Sequence, residues 1–334
     1  MTGSKPTVSV IIPTYNCEAY IAETLNSVLG QTFQNLELIV VDDGSTDRTR
    51  EIVGSYNASV RLISQLNSGV CAARNFGIRE ANGRYICLMD HDDYWFPDKL
   101  ALQVEEMNRQ PETGLVYSTF IWWFPSAEGV FPHPNSFESA SCSTGIDDEF
   151  SGWIYHLLLL DCWVLTSSAL IRAEVFDKCG AFDESLPYSE DWDLWLRISQ
   201  EYPFTKLKKP LTLYRQHPQQ GNRIARSIDY RTDLIAKATA TRGCSSRGGR
   251  RQAGPRRRKT GRAGIWFREG AMLTAAVHGR AEPRVVRDRG AFDSQDQPAR
   301  VRREGPGPGC EPRRTHQRLS GIRRGIFCKR RPRR

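Results

Sequence analysis

The chain has 334 residues, 39 % of them hydrophobic, with 47 Lys and Arg against 38 Asp and Glu for a formal net charge of +9. That length allows one large domain or two medium ones, with a real core over at least part of it. Nine scattered cysteines, an odd number with no CxxC pair, argue against a disulfide framework or a zinc knuckle and for a reducing compartment.

Strands and helices alternate from the first residues. Val8 to Pro13 is a short β-branched run, and Glu18 to Leu29 then places Ile21, Leu25, Val28 and Leu29 at helical spacing. Leu36 to Val41 reads as a second buried strand ending in Asp42-Asp43-Gly44-Ser45. Asp47 to Gly54 reads as a helix with Ser45 or Thr46 as its N-cap. Val60 to Gln65 is a third strand, Gly69 to Ala81 a helix of small residues able to pack closely, and Arg84 to Met89 a fourth strand. Asp90, Asp92 and Asp93 follow it, then a helix over Asp98 to Gln110 and a strand over Leu115 to Phe120.

Phe124 to Gly152 is loop-like. Trp163 to Ile171 reads as a strand, Glu174 to Cys179 as a short helix, Ser189 to Gln200 as an amphipathic helix opening on acids, and Leu211 to His217 as a last strand. The apolar stretch Trp153 to Ile171 holds His156, Asp161 and several hydroxyls, short of the roughly 20 mostly apolar residues of a membrane span. No secretory signal is read at the start, where Thr2 to Thr7 is polar and only Val8 to Ile12 is apolar.

The charge is divided unevenly. Residues 243–334 carry 26 Lys and Arg against 7 Asp and Glu, so residues 1–242 hold the other 21 basic and 31 acidic groups. The basic part is rich in Arg, Gly and Pro and, apart from an amphipathic pattern over Ala263 to Val277, lacks apolar periodicity. It reads as a disordered tail. Nucleic-acid binding, contact with an anionic membrane surface and a reading frame disrupted near Thr241 compete to explain it. No recognised nucleic-acid-binding module accompanies the arginines, against nucleic acid, and the abrupt compositional swing favours the last.

Strands spaced by helices imply right-handed βαβ units and an α/β fold with a mostly parallel, Rossmann-like sheet covered on both faces. Ligands bind such sheets beyond the carboxyl ends of the strands. Four polar clusters fall there: Pro13 to Asn16, Asp42-Asp43, Asn67 to Gly69, and Asp90 to Asp93. The acids lack EF-hand spacing, and neither GxGxxG nor a Walker A loop is present. A carboxylate-lined edge without a glycine cradle would hold phosphates through a divalent cation such as Mg²⁺ or Mn²⁺. Taken alone, the acids would equally suit a turn capping the next helix; the other three clusters tip the balance.

The series VSVIIPTYN, LELIVVDDGSTD, NSGVCAARNFGI, ANGRYICLMDHDDYW and SEDWDLWLRI resembles the family 2 glycosyltransferases, with their GT-A fold, from about Thr7 to about Arg226. The resemblance implies an inverting, metal-assisted transfer from a UDP-, GDP- or dTDP-sugar to a glycan or lipid-linked acceptor. Residues 1–124 would be the nucleotide-sugar half and 125–242 the acceptor half, with acceptor choice in Pro125 to Gly152. Pro13, Thr14, Tyr15 and Asn16 would line the nucleotide pocket, with Tyr15 against the base, and Asp43 with Asp42 would read base or ribose. Asp90-His91-Asp92 matches the DXD element, with Asp92 the direct metal ligand, Asp90 a second metal ligand, and Asp90 or His91 nearer the ribose. Arg74 would sit near the nucleotide. Asp191, paired with Glu190, matches the catalytic base, and His217 would approach the diphosphate or metal from a closing loop. Asp90, Asp92 and Asp93 together would gather around the cation and nucleotide sugar, with Asp93 assigned no individual contact. The expected location is cytoplasmic, peripheral at the inner membrane face.

Without the resemblance, Glu190-Asp191 would read as a helix N-terminal charge pair. Trp122, Trp123 and Phe124 read as core rather than a sugar platform. A sugar-phosphate nucleotidyltransferase would need a Gly-rich, Arg-containing loop where this chain has PTYNCEAY. A transferase-like binding module that has lost its chemistry is the other rival, although every expected acid is present.

Overall fold

Eight strands form one mixed sheet in the order β3-β2-β1-β4-β7-β6-β8-β5. They are β1 (Val8–Thr14), β2 (Leu36–Asp42), β3 (Arg61–Ser64), β4 (Tyr85–Leu88), β5 (Tyr94–Trp95), β6 (Leu115–Trp123), β7 (Leu170–Arg172) and β8 (Phe204–Arg215). The computed structural model describes residues 5–140, 144–220 and 231–240. The segment 243–334, with its helical pattern over Ala263 to Val277, lies outside them.

The expected parallel sheet is found in its first half, where β1 pairs in parallel with β2 and β4, and β2 with β3. Beyond β4 it is mixed. β7 runs antiparallel to both β4 and β6, β6 pairs in parallel with β8, and β5 closes the far edge antiparallel to β8. β1 is buried along its whole length, which is why it reads as an unbroken apolar run.

Helices cover both faces. Val8, Val10 and Ile12 pack with Ile21 and Leu25 of α1 (Ile21–Leu29) and Leu100 and Val104 of α4 (Lys99–Arg109). Ile11 faces the other way, toward Cys71 of α3 (Val70–Glu80) and the cluster holding Leu194, Trp195 and Ile198. Gly77 lets α3 lie close on β1, since a Cβ there would stand 2.3 Å from Ile11 Cγ2. The remaining helices are α2 (Thr49–Gly54), α5 (Tyr155–Leu158), α6 (Ala173–Cys179), α7 (Glu190–Glu201) and α8 (Arg231–Ala240).

Four sequence expectations are corrected. Trp163 to Ile171 is not one strand: a 3-10 turn at Thr166–Ser168 precedes β7, because Ser168 turns its hydroxyl back onto the Leu165 carbonyl. The last strand begins at Phe204, seven residues early. Lys206, Lys208 and Lys209 hid it by breaking the apolar pattern, yet Lys206 is buried with its amine 3.1 Å from Asp147. Neither Ser45 nor Thr46 caps α2; the Asp47 carboxylate accepts the Thr49 N–H at 2.9 Å. Of the three aromatics at 122–124, only Trp123 joins the core.

Candidate active site

The carboxyl ends of β1, β2 and β4 and the N-termini of α3 and α7 supply the polar clusters. Arg74, on α3 and almost wholly buried, ties two of them together. One guanidinium nitrogen donates to Asp90 Oδ1 at 2.7 Å and the other to Glu190 Oε1 at 2.6 Å. Burial works against its charge, but the two carboxylates outweigh that and push its pKa up. A cation so paired is held in place, since losing either partner would strand a buried charge.

The turn at Thr166–Ser168 supports the same junction from below. Ser167 Oγ accepts the Asp90 N–H at 3.0 Å, and Thr166 Oγ1 donates to Asp191 Oδ2 at 3.1 Å. Asp191 also accepts its neighbour Trp192 N–H at 2.7 Å. Burial and the adjacent Glu190 charge raise the Asp191 carboxyl to about 6, against the opposing pull of Arg74. Trp192 and Trp195 of α7 are buried beside it, their indole N–H groups taken by the Leu158 and Val164 carbonyls.

Asp92 and His217 meet at 2.8 Å through Oδ2 and Nε2. Burial would raise the Asp92 carboxyl, but the His217 hydrogen bond and the nearby imidazoles more than offset it, leaving the pKa lowered. The His217 ring packs on Tyr20 at 4.7 Å between centroids. Asp93 differs from its neighbours. It is fully buried, accepts the Arg215 N–H at 3.1 Å, and is pushed well above the usual carboxylate range by burial and by the charges of Asp92 and Asp90. Its surroundings disfavour the charged form, and its bond to the Arg215 backbone ties the acid-bearing loop to β8.

At the ends of β1 and β2, Asn16 adopts φ +48° and accepts the Thr46 N–H at 2.8 Å, and His91 Nδ1 lies 3.2 Å from the Pro13 carbonyl oxygen. Tyr15 is exposed, whereas Thr14 Oγ1 and Asp42 Oδ2 are buried without a hydrogen-bond partner. Asp43 accepts three bonds, from Gln65 Nε2, Ser68 N and Gly69 N at 2.7–2.9 Å, and thereby shapes the loop entering α3.

The structure thus joins Asp90 and Glu190 through Arg74, holds the adjacent Asp191 on Thr166 and the Trp192 N–H, pairs Asp92 with His217, and gathers Pro13, Thr14, Asn16 and Asp42 at the neighbouring strand ends. Sequence reasoning missed Thr166 and Ser167, whose hydroxyls lay in a stretch read as strand. It also missed Arg215, whose guanidinium donates to the Asp92 carbonyl at 2.6 Å while stacked 3.8 Å from the Trp123 ring. Its only signal was a basic residue inside an apolar strand pattern.

Comparison with known proteins bears on the family and the fold. A family model described as glycosyl transferase family 2 matches residues 9–136. The Escherichia coli UDP-Glc:alpha-D-GlcNAc-diphosphoundecaprenol beta-1,3-glucosyltransferase WfaP is 33 % identical over 200 residues, covering 57 % of this chain and 69 % of that protein. An uncharacterized glycosyltransferase of Rickettsia typhi is 35 % identical over 202 residues, covering 59 % of this chain. The chain spans 61 % of that relative and 35 % of another from Rickettsia conorii. The fold is shared with S. aureus TarS in complex with UDP-GlcNAc, at TM-score 0.54 and 24 % identity over 70 % of this chain and 66 % of that one. With its strand-end acids and its helix-borne acid pair on this scaffold, the chain belongs to glycosyl transferase family 2.

Proposed function

We propose that this chain transfers a glycosyl group from a nucleotide-diphospho-sugar to an acceptor hydroxyl, with inversion at the anomeric carbon. The observation that carries the reading is Asp191. Its carboxyl is poised near 6, and it stands next to the Glu190–Arg74–Asp90 tie that joins α7 to the strand-end acids. A general base works best with a pKa near the operating pH. The acceptor hydroxyl gives its proton to Asp191 while its oxygen attacks the anomeric carbon. The bond from that carbon to the diphosphate oxygen breaks, and its electron pair leaves with the nucleotide. Attack opposite the leaving group inverts the centre.

Thr166 and the Trp192 N–H fix the Asp191 carboxylate, so the base is oriented before substrate arrives. On the donor side, Tyr15 offers an exposed ring face for the base. Thr14 Oγ1 has hydrogen-bonding capacity that a nucleoside would satisfy, while Asp42 Oδ2 faces the Arg50 guanidinium at 3.7 Å. Asp43 contributes through the loop it holds, and Asp90 and His91 lie toward the ribose.

The residues fit a divalent cation shared with the donor. Among the described residues no group of three His, Cys, Asp or Glu side chains comes together as a closed cage. The anionic Asp92 and His217 form a two-ligand pair of the kind that Mg²⁺ or Mn²⁺ completes with phosphate oxygens. Asp92 and His217 would hold the cation, and Arg215 would fix the Asp92 backbone. When bound, the cation offsets the charge growing on the leaving diphosphate.

The acceptor we assign is a polysaccharide or lipid-linked glycan, by extension from WfaP and from a putative teichuronic acid biosynthesis glycosyltransferase of Bacillus subtilis, 46 % identical over 111 residues. Such an acceptor suits a peripheral position at the inner membrane face; no helix among the described residues is long and apolar enough to cross a membrane. Calorimetric titration with UDP-, GDP- and dTDP-sugars, with and without Mn²⁺, tests the reading. One donor should bind, and EDTA should abolish the binding. Silence across the panel from folded protein would reject it, and binding without release of nucleoside diphosphate would leave a binding module.

A further inference from the structure

Past the register shift between Ser118 and Phe120, β6 sends alternate side chains to opposite faces. Ile121 and Trp123 enter the core with Phe96, Phe137 and Leu213. Phe120, Trp122 and, just beyond the strand, Phe124 share the other face with Tyr214 of β8, the cross-strand partner of Trp122. The four rings form a continuous strip. Centroids are 5.7 Å apart for Phe120–Trp122, 5.8 Å for Phe120–Tyr214, 5.0 Å for Trp122–Tyr214, and 6.3 Å for Trp122–Phe124, whose planes differ by 18°. None of the four is fully buried, and Phe124 is 45 % exposed. Four contiguous rings left partly in water forgo burial free energy that a core position would have given, and such patches mark contact surfaces.

The strip begins at the acids. Tyr214 immediately precedes Arg215, whose N–H Asp93 accepts. Burial foremost, and with it the carboxyl groups of Asp90, Asp92 and Asp191, raises the pKa of the Tyr214 phenol. From there the rings run outward to Phe124.

We propose that this strip is a carbohydrate subsite that stacks the apolar C–H face of an acceptor pyranose and so delivers a hydroxyl to Asp191; the assignment rests on the transferase reading above. A pyranose matches the surface on both counts. Its C–H face covers aromatic rings, and its rim of hydroxyls donates to carboxylates next to them. An acyl chain would use the rings but leave the carboxylates beside it unsolvated.

The test is saturation-transfer NMR on the full chain with methyl glycosides of glucose, galactose, mannose and N-acetylglucosamine, with octyl glucoside in parallel. Donor calorimetry is run on the same proteins. In wild type, saturation should reach pyranose ring C–H protons. Trp122→Ala should weaken glycoside binding by about tenfold, equivalent to about 1.4 kcal/mol of lost ring contact, with donor affinity changed less than about twofold. Phe124→Ala, at an exposed position that threatens the fold less, should weaken it in the same direction. Three outcomes overturn the subsite: no saturation of any glycoside by wild type, equal binding by wild type and both variants, or saturation confined to the octyl chain. If wild type binds no donor but glycosides still saturate and Trp122→Ala still weakens them, the transferase reading fails while the carbohydrate subsite stands.

Discussion

Burial acts on Asp191 in two opposite directions. It lifts the carboxyl from 3.8 to about 6, which makes it a competent base near neutrality. The same shift costs stability. Because the folded-state pKa lies above the unfolded one, stability present below pH 3.8 is lost as pH rises to about 6, and the loss persists above it. Asp191→Asn should therefore bind donor as wild type does, release nucleoside diphosphate at least ~100-fold more slowly, and be more stable at pH 7.5 by about 1–3 kcal/mol. Donor calorimetry, a turnover assay and chemical denaturation check the three parts; turnover at the wild-type rate would remove Asp191 from the base role. The wild-type rate should fall about tenfold per pH unit below pH ~6 and level off above it. The Glu190-Asp191 pair stands out in the sequence where it opens an amphipathic helix, but only the family resemblance proposes Asp191 as a base. Its pKa was not legible there, since Thr166, Arg74 and the packed tryptophans come from distant parts of the chain.

At the scale of elements, the site depends on how closely backbone segments approach. A Cβ at Gly83 would stand 2.5 Å from the backbone nitrogen of Ser9, where no side chain can move aside. Gly83→Ala should destabilise by about 1–3 kcal/mol, seen as a lower urea midpoint with unchanged slope. A neutral result would show that β1 and β4 tolerate separation. The early helices and strands were readable because each buries one apolar pattern. The turn at Thr166–Ser168 and the first half of β8 were not. Their buried hydroxyls and lysines are satisfied by partners far away in sequence, such as Asp147 for Lys206, so local polarity gave the wrong sign.

For the whole molecule, one sheet runs from β3 to β5 and draws strands from both sides of residue 124. β6 and β8, with the acid-bearing loop after β4 bonded to Arg215, tie the two sides together. Scanning calorimetry should accordingly show a single cooperative transition for the sheet-bearing part. A matched donor with Mn²⁺ at 100 times its Kd should raise its stability by about 2.7 kcal/mol. Two separated transitions would mean that the halves fold independently.

The sequence alone determined the alternation of strands and helices, the acids at the strand ends and the family resemblance, because these are carried by runs of neighbouring residues. Tertiary structure decided what the polar residues do. Asp93 looks like Asp92 in the chain, yet one is fully buried, bonded to the Arg215 backbone and raised in pKa, and the other is paired with His217 and lowered. Trp122 and Trp123 are adjacent, yet one lines an open face and the other the core. Burial and partners set those differences, and both are properties of what the fold brings near.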